Sequence, residues 1–369
     1  MKYYVIAGEA SGDLHGSNLI KELKKLDNSS EFRCWGGDLM EAAGGQLVKH
    51  YRDLAFMGFL EVIRNIRTIF KNLHFCKEDV SSYQPDVIVY IDYPGFNLRI
   101  AKWAKHNNFK NHYYISPQVW AWKENRVKDM KRDLDALYVI LPFEKDFFEN
   151  KHHFPVHFVG HPLMDIIPEH KNNPSFFSEN KLDEELPIVA LLPGSRKQEI
   201  KKMLPLFLSI VPHFPKRQFV IAAAPGIPQE WYAPFFKNSR VAVIYNKTYD
   251  LLHHAEAAIV TSGTATLETA LFGVPQMVCY RSSLLNYLIA KQILNLKFIS
   301  LVNLIMDKKL VEELIQQHCN VAAISTELKR IISDDGKAVI QASYRTLFKS
   351  LEGNGAALQT AQMIVKAIA

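Results

Sequence analysis

Five short segments of this sequence carry residue types that could bind an anion or move a proton, and each follows an apolar run. The first, Gly8 to Asp13 (GEASGD), has two glycines and small side chains, which let backbone approach a ligand closely. Its competing reading is a plain strand-to-helix turn capped by Ser11 or Asp13. The second, Ile91 to Asn97 (IDYPGFN), puts Asp92 at the end of the strongest apolar run, where a carboxylate could take a proton from an incoming hydroxyl. Asp92 stands too far ahead of a helix beginning near Phe96 to be its obvious cap. The third, Ser116 to Lys123 (SPQVWAWK), sets Trp120 and Trp122 beside Lys123 and Arg126, suited to a sugar, an acyl chain or a lipid headgroup, or equally to plugging the core. The fourth, Leu191 to Ile200 (LLPGSRKQEI), runs into a helix start. There backbone N–H groups, the Ser195 hydroxyl and the Arg196 guanidinium suit a phosphate or diphosphate. In the fifth, Thr261 to Glu268 (TSGTATLE), Ser262, Gly263 and Thr264 open a helix whose positive end suits a second face of that diphosphate. Glu268 lies one turn beyond Thr264 on the same helix face, placed to hold two ribose hydroxyls, or else is simply solvated behind a good N-cap. Asn303, in the apolar stretch FISLVNLI, needs hydrogen-bond partners, which either a ligand or the protein supplies.

The elements that would position these loops alternate in type. Tyr3–Ala7, Asp86–Ile91, His112–Ile115 and Ala136–Leu141 read as strands, with a helix over Asp13–Leu26. The rhythm restarts with strands at Pro187–Leu192, Phe219–Ala223, Val241–Ile244, Ala257–Val260 and Pro275–Tyr280, and a helix from about Gln198. Strand, helix, strand implies parallel β-α-β units covered on both faces. The expectation is an α/β chain of two doubly wound domains, residues 1–160 and 187–345. A connection with Pro162, Pro168 and Pro174 occupies 161–186, and a helical tail occupies 346–369. From Val311 onward the pattern reads as mostly helical. Ligands of such sheets sit beyond the C-terminal strand ends, where the five loops fall.

Composition narrows the class. The chain of 369 residues is 48% hydrophobic and 22% charged, with a formal charge of +6. That mild excess suits an anionic substrate or membrane surface, while the absence of an arginine-rich tract argues against nucleic acid. The four cysteines form no C-x-x-C pair, so neither a metal site nor a disulfide framework is expected, and isolated cysteines suit a reducing cytoplasm. The opening apolar run is shorter than a signal peptide needs, and no window approaches the ~20 apolar residues of a membrane span. There is no G-x-G-x-x-G fingerprint and no P-loop, which disfavours a nicotinamide dehydrogenase or a P-loop kinase. From Phe59 to Phe75, apolar Phe59, Leu60, Ile63, Ile66, Phe70 and Leu73 interleave with Arg64, Arg67 and Lys71. This fits a helix lying on anionic lipid, and equally one packed on a sheet.

The loops, in this order, together with AFMGFLEV (Ala55 to Val62), LPFEK (Leu141 to Lys145), VGHPLMD (Val159 to Asp165) and SLVNL (Ser300 to Leu304), resemble the lipid-A-disaccharide synthase family, glycosyltransferase family 19. The resemblance implies a GT-B architecture, two Rossmann-like domains facing a central cleft. It also implies inverting transfer of 2,3-diacylglucosamine from UDP-2,3-diacylglucosamine to 2,3-diacylglucosamine 1-phosphate, giving a β-1,6-linked disaccharide 1-phosphate and UDP. No cofactor and no metal are implied. A cytoplasmic homodimer, peripheral to the inner membrane of a Gram-negative bacterium, is. In this resemblance Asp92 matches the general base, with Glu9 and Ser11 in the first loop. Ser195 and Arg196 match the diphosphate loop, Glu268 the nucleotide-binding acid, and Asn303 the family's asparagine; the helix start at Ser262, Gly263 and Thr264 is expected to complete the UDP site. Gly95 departs from members that carry a second acid there, leaving Asp92 the sole acid of its loop. A UDP-N-acetylglucosamine 2-epimerase or another GT-B glycosyltransferase shares the architecture, and fold alone does not separate them. Asp92, Arg196 and Glu268 together speak against a non-catalytic binding protein.

Overall fold

The computed structural model describes every residue except 54–65, 225, 237–240, 284–295, 352, 354 and 369. The motif Ala55 to Val62, and Phe59, Leu60, Ile63 and Arg64 of the basic amphipathic segment, therefore lie outside the described residues. The chain divides into two compact units, Met1–Asp165 with Leu351–Ala369, and Ile166–Ser350.

In the first unit seven parallel strands stand in the order β3-β2-β1-β4-β5-β6-β7. They are β1 (Lys2–Ala7), β2 (Glu31–Gly36), β3 (Gln46–His50), β4 (Val87–Ile91), β5 (Asn111–Tyr114), β6 (Ala136–Val139) and β7 (His157–Phe158). Both faces of β1 and β4 are buried, which is why these strands read as continuous apolar and aromatic runs. One face (Tyr4, Ile6, Ile88, Tyr90) packs with Trp35, Phe96 and Val127, and the other (Tyr3, Val5, Val87, Val89) with Leu19, Ile20 and Leu23. The helices are α1 (Ala10–Leu26), α2 (Asp38–Ala42), α3 (Ile66–Tyr83), α4 (Pro94–His106), α5 (Arg126–Asp133) and α6 (Pro142–Asp146).

The second unit repeats the plan with six parallel strands, in the order β10-β9-β8-β11-β12-β13. These are β8 (Ile188–Leu192), β9 (Gln218–Ala223), β10 (Val241–Tyr245), β11 (Ala255–Thr261), β12 (Gln276–Tyr280) and β13 (Glu312–Ile315). Around them lie α7 (Lys197–Ser209), α8 (Thr248–His254), α9 (Thr264–Leu271), α10 (Leu301–Met306), α11 (Val321–Ile331) and α12 (Asp334–Leu351). The last helix, α13 (Ala356–Ile368), returns to the first unit, where Ala356, Ala361 and Ile364 join the cluster around Leu19, Ile20 and Leu23 of α1.

Each sheet reverses its order once, between β1 and β4 in the first and between β8 and β11 in the second. Such a switch point opens a crevice at the C-terminal strand ends. Ala7 pairs with Ile91 across the first, and Leu192 with Val260 across the second. The loops holding Glu9 and Asp92 thus leave the first sheet side by side, as do those holding Ser195 and Ser262 in the second.

Several sequence expectations change. Helix α1 begins at Ala10, so Ser11 and Asp13 lie inside it and neither is its N-cap. Asp13 instead accepts hydrogen bonds from the backbone nitrogens of Gly37, Leu39 and Met40, at 2.7, 3.1 and 3.0 Å, and so holds the start of α2. Strands β2, β3 and β7 add to the first sheet, and β13 breaks the mostly helical reading from Val311. The segment expected as a polar connection buries Phe176 fully in the second unit's core. Helix α12 runs across residue 346, and the chain rejoins the first unit from Leu351. Among the described residues no helix is long and apolar enough to cross a membrane.

Candidate active site

At the first switch point the backbone is held in an unusual shape. Asp92 and Tyr93 are consecutive non-glycine residues with φ of 44° and 51°. That left-handed conformation costs energy and persists only where surroundings enforce it, as at many functional sites. Here Asn97 donates from Nδ2 to the Asp92 carbonyl at 2.7 Å, and the Tyr113 hydroxyl donates to the same oxygen. Gly8 is required opposite: a Cβ there would come within 2.3 Å of the Tyr93 ring.

The result is an exposed Asp92 side chain beside an exposed Glu9 at the N-cap of α1. Although the residue as a whole reaches solvent, its carboxyl is largely desolvated. Desolvation first, and then the negative charge of Glu9, push its pKa up to about 6, against a backbone hydrogen bond from Tyr93. A carboxylate tuned toward neutrality is better matched to accepting a hydroxyl proton than one near 4. Ser11 is exposed in the first turn of α1. One turn further on, His15 has an Nδ1 without a hydrogen-bond partner, and burial pushes its pKa down to about 4. Burial and the nearby His15 push His161 down to about 3, and its Nδ1 accepts from the Leu163 nitrogen at 3.2 Å. Neither histidine stood out in the sequence, although VGHPLMD contained one of them.

The SPQVWAWK segment splits between its two expected roles. Trp120 is anchored inward. Its Nε1 donates to Glu144 at 3.1 Å, and its ring meets Phe143 edge-on with centroids 4.8 Å apart. Trp122 faces outward, 44% exposed, with the Lys123 ammonium 4.3 Å and the Arg126 guanidinium 5.8 Å from its ring centroid.

In the second unit, Ser195 and Arg196 are exposed after Gly194, whose φ of 109° favours glycine. Glu199, not singled out in the sequence, turns back from the first turn of α7. Its Oε2 lies 3.3 Å from both the Ser195 and the Arg196 backbone nitrogens, and its Oε1 is 3.5 Å from the Arg196 guanidinium. Across the switch point, Gly263 caps α9 with no side-chain bond, its carbonyl accepts from the Thr266 nitrogen at 3.1 Å, and Thr264 beside it is exposed. Ser262 donates its hydroxyl to the Ile299 carbonyl at 2.7 Å. Glu268, half-buried, accepts from the Tyr249 hydroxyl at 2.8 Å, and desolvation raises its pKa.

Asn303 is settled differently from the nucleotide ligand expected of it. It is fully buried. Nδ2 donates to the Val311 carbonyl and to Glu313, at 2.9 and 2.8 Å, while Oδ1 accepts from the Leu310 and Val311 nitrogens, at 2.7 and 3.0 Å. All four hydrogen-bonding positions of the amide are used within the protein. Glu313 also takes the Ile299 and Ser300 nitrogens, so Asn303 supports the segment that holds Ser262.

The fold recurs in solved structures. A UDP-N-acetylglucosamine 2-epimerase from Neisseria meningitidis, bound to UDP-GlcNAc, superposes with a TM-score of 0.65 at 11% identity, over 100% of this chain and 99% of that one. The calicheamicin glycosyltransferase CalG4 gives 0.61 at 16%, over 100% and 97%. At such identities the likeness carries the GT-B fold alone. In sequence, the family described as lipid-A-disaccharide synthetase matches residues 3–368. The lipid-A-disaccharide synthase of Geobacter metallireducens is 38% identical over 336 residues, 89% of this chain and 87% of the relative. That of Syntrophus aciditrophicus is 37% identical over 372 residues, 99% and 97%, and that of Coxiella burnetii 37% over 334 residues, 89% and 88%. With a family match spanning both units and relatives this similar over 87–97% of their lengths, the chain belongs to the lipid-A-disaccharide synthase family of glycosyltransferases.

Proposed function

We propose that this glycosyltransferase moves 2,3-diacylglucosamine from UDP-2,3-diacylglucosamine to the 6-hydroxyl of 2,3-diacylglucosamine 1-phosphate, with inversion at the anomeric carbon. Asp92 takes the hydroxyl proton as the oxygen attacks. The new C–O bond forms as the bond to the diphosphate breaks, and UDP leaves with the electron pair. Arg196, Ser195 and the open helix start at Ser262–Thr264 hold the diphosphate and stabilise the charge it gains. Glu268, steadied by Tyr249, takes the ribose hydroxyls. Glu9 and Ser11 bind the acceptor beside Asp92, and Asn303 serves the site through the Ile299–Ser300 segment.

The observation that carries this reading is Asp92 itself, a carboxylate at a switch point on strained backbone, with its pKa raised toward neutrality. The epimerase alternative rests on fold likeness alone. The test is UDP release from UDP-2,3-diacylglucosamine with and without the acceptor, in neutral detergent micelles. Acceptor-dependent release with a disaccharide phosphate seen by mass spectrometry supports the reaction. Release without acceptor, or none at all, removes it.

The protein would work as a homodimer on the cytoplasmic face of the inner membrane. On α3, Phe70 and Phe75 are 60% and 42% exposed beside Arg67 and Lys71, a mixture that suits anionic lipid. Vesicle binding unaffected by charge reversal at Arg67 and Lys71 would remove the membrane part, and a monomer in light scattering the dimer.

A further inference from the structure

Beside the Asp92 loop lies a groove of about 240 Å³ that the reaction as described does not use. Helix α4 contributes Gly95, Leu98, Arg99 and Lys102, spaced to share one helix face, together with Pro94 at its start. Helix α5 contributes Arg126, Asp129, Arg132 and Asp133. Four basic and two acidic side chains line it, an excess of two positive charges.

The charges are not shared evenly. Both carboxylates are taken by Arg132, at 2.9 Å from Asp129 and 2.7 Å from Asp133. Among the described residues Arg99, Lys102 and Arg126 face no carboxylate partner, and Arg126 is half-buried while its guanidinium also covers Trp122. Gly95 adds no side chain, and a Cβ there would meet nothing within 4 Å. Three uncompensated cations on facing helices, with an open mouth, suit a compact dianion. A phosphate monoester carries nearly two negative charges at neutral pH, and its oxygens match the guanidinium fork.

We infer that this groove binds the phosphate of the acceptor sugar, with Arg99, Lys102 and Arg126 as its ligands. The inference rests on the proposed reaction, in which one sugar carries both the attacking hydroxyl and a phosphate. Pro94 and Gly95 follow Asp92 by two and three residues, so the groove and the base lie along one loop. Holding the phosphate there orients the hydroxyl toward Asp92, and the groove becomes the feature that selects a phosphorylated acceptor.

The test compares wild type with Arg99→Gln, Lys102→Gln, Arg126→Gln and the triple variant, in neutral detergent micelles, using 2,3-diacylglucosamine 1-phosphate and its dephosphorylated analogue. Wild type should prefer the phosphorylated acceptor. Each substitution should lower kcat/KM for that acceptor about tenfold, the value of one charge-assisted hydrogen bond. The analogue's kcat/KM and the donor KM should stay unchanged. Equal losses with both acceptors, or preserved preference in the triple variant, overturn the assignment. Vesicles of phosphatidylglycerol and phosphatidylcholine distinguish a headgroup site: variants that lose only phosphatidylglycerol binding while keeping acceptor preference also overturn it. If wild type releases no UDP with either acceptor, the reaction fails independently. Calorimetry with glucosamine 1-phosphate then decides the groove, since binding lost in the triple variant upholds it and no binding to wild type sinks it.

Discussion

Glu199 places one carboxylate oxygen 3.3 Å from the backbone nitrogens of both Ser195 and Arg196. The donors assigned to a diphosphate therefore already face an anion belonging to the protein. An internal carboxylate at a helix start stabilises the turn and competes with any phosphate that approaches it. Glu199→Gln should tighten UDP binding several-fold by calorimetry. It should also lower the melting temperature by a few degrees, since a weakened cap costs about 1 kcal/mol. A weaker UDP affinity in that variant would show instead that Glu199 shapes the loop for its ligand.

Replacing Asp92 by Asn keeps the size of the side chain and leaves the carbonyl bonds from Asn97 and Tyr113 in place. If Asp92 is the base, kcat falls by about 10²–10⁴ while the donor KM barely moves. Near wild-type turnover in a folded D92N protein would remove Asp92 from the chemistry.

The same residue sets the expected pH profile. A base works when ionised, so kcat/KM should rise through about pH 6, where burial and Glu9 have pushed the Asp92 carboxyl, and level off above. Removing the negative charge in Glu9→Gln eases ionisation of Asp92, so the acid limb should move to lower pH. A limb that stays in place would mean that Glu9 does not influence the titrating group.

Tyr249 donates to one oxygen of Glu268, the acid proposed to take the ribose hydroxyls. Tyr249→Phe should weaken UDP binding several-fold, and Glu268→Gln by about tenfold, because a charged acceptor for two hydroxyls is lost. Asn303→Ala should act in another way. It strips four buried hydrogen bonds, so the melting temperature falls, with an expected cost of about 3 kcal/mol or more. Unchanged stability together with lost UDP affinity would restore Asn303 as a direct ligand.

The loops were legible because most of them follow strands buried on both faces that announce themselves as apolar runs, β5 with its buried Asn111 and His112 being the exception. Elements outside that condition were harder to read. Strand β2 carries Arg33, which pairs with Asp79 of α3 and reaches Gln46, so its pattern is mixed. Strand β13 is four residues with two glutamates, and it is a strand because Met277 to Tyr280 of β12 pair with it. Asp13 looked like a cap for its own helix, yet it serves α2, a partner 24 residues or more along the chain. Asn303 showed a need for partners without showing whose they were. Arg99, Lys102 and Arg126 were visible as charges, but only the packing of α4 and α5 shows that they share a groove.

Helix α13 gives the chain an order of assembly. Its backbone begins at the Asp165 carboxylate, with the Ala357 nitrogen 3.3 Å away, and Gln359 reaches the Val159 carbonyl at 3.4 Å. The surface it covers on Leu19, Ile20 and Leu23 is made by residues that leave the ribosome long before α13 itself. During synthesis α13 reaches that apolar stripe only after more than three hundred further residues have emerged, a period in which a nascent first unit is exposed to aggregation and to chaperone capture.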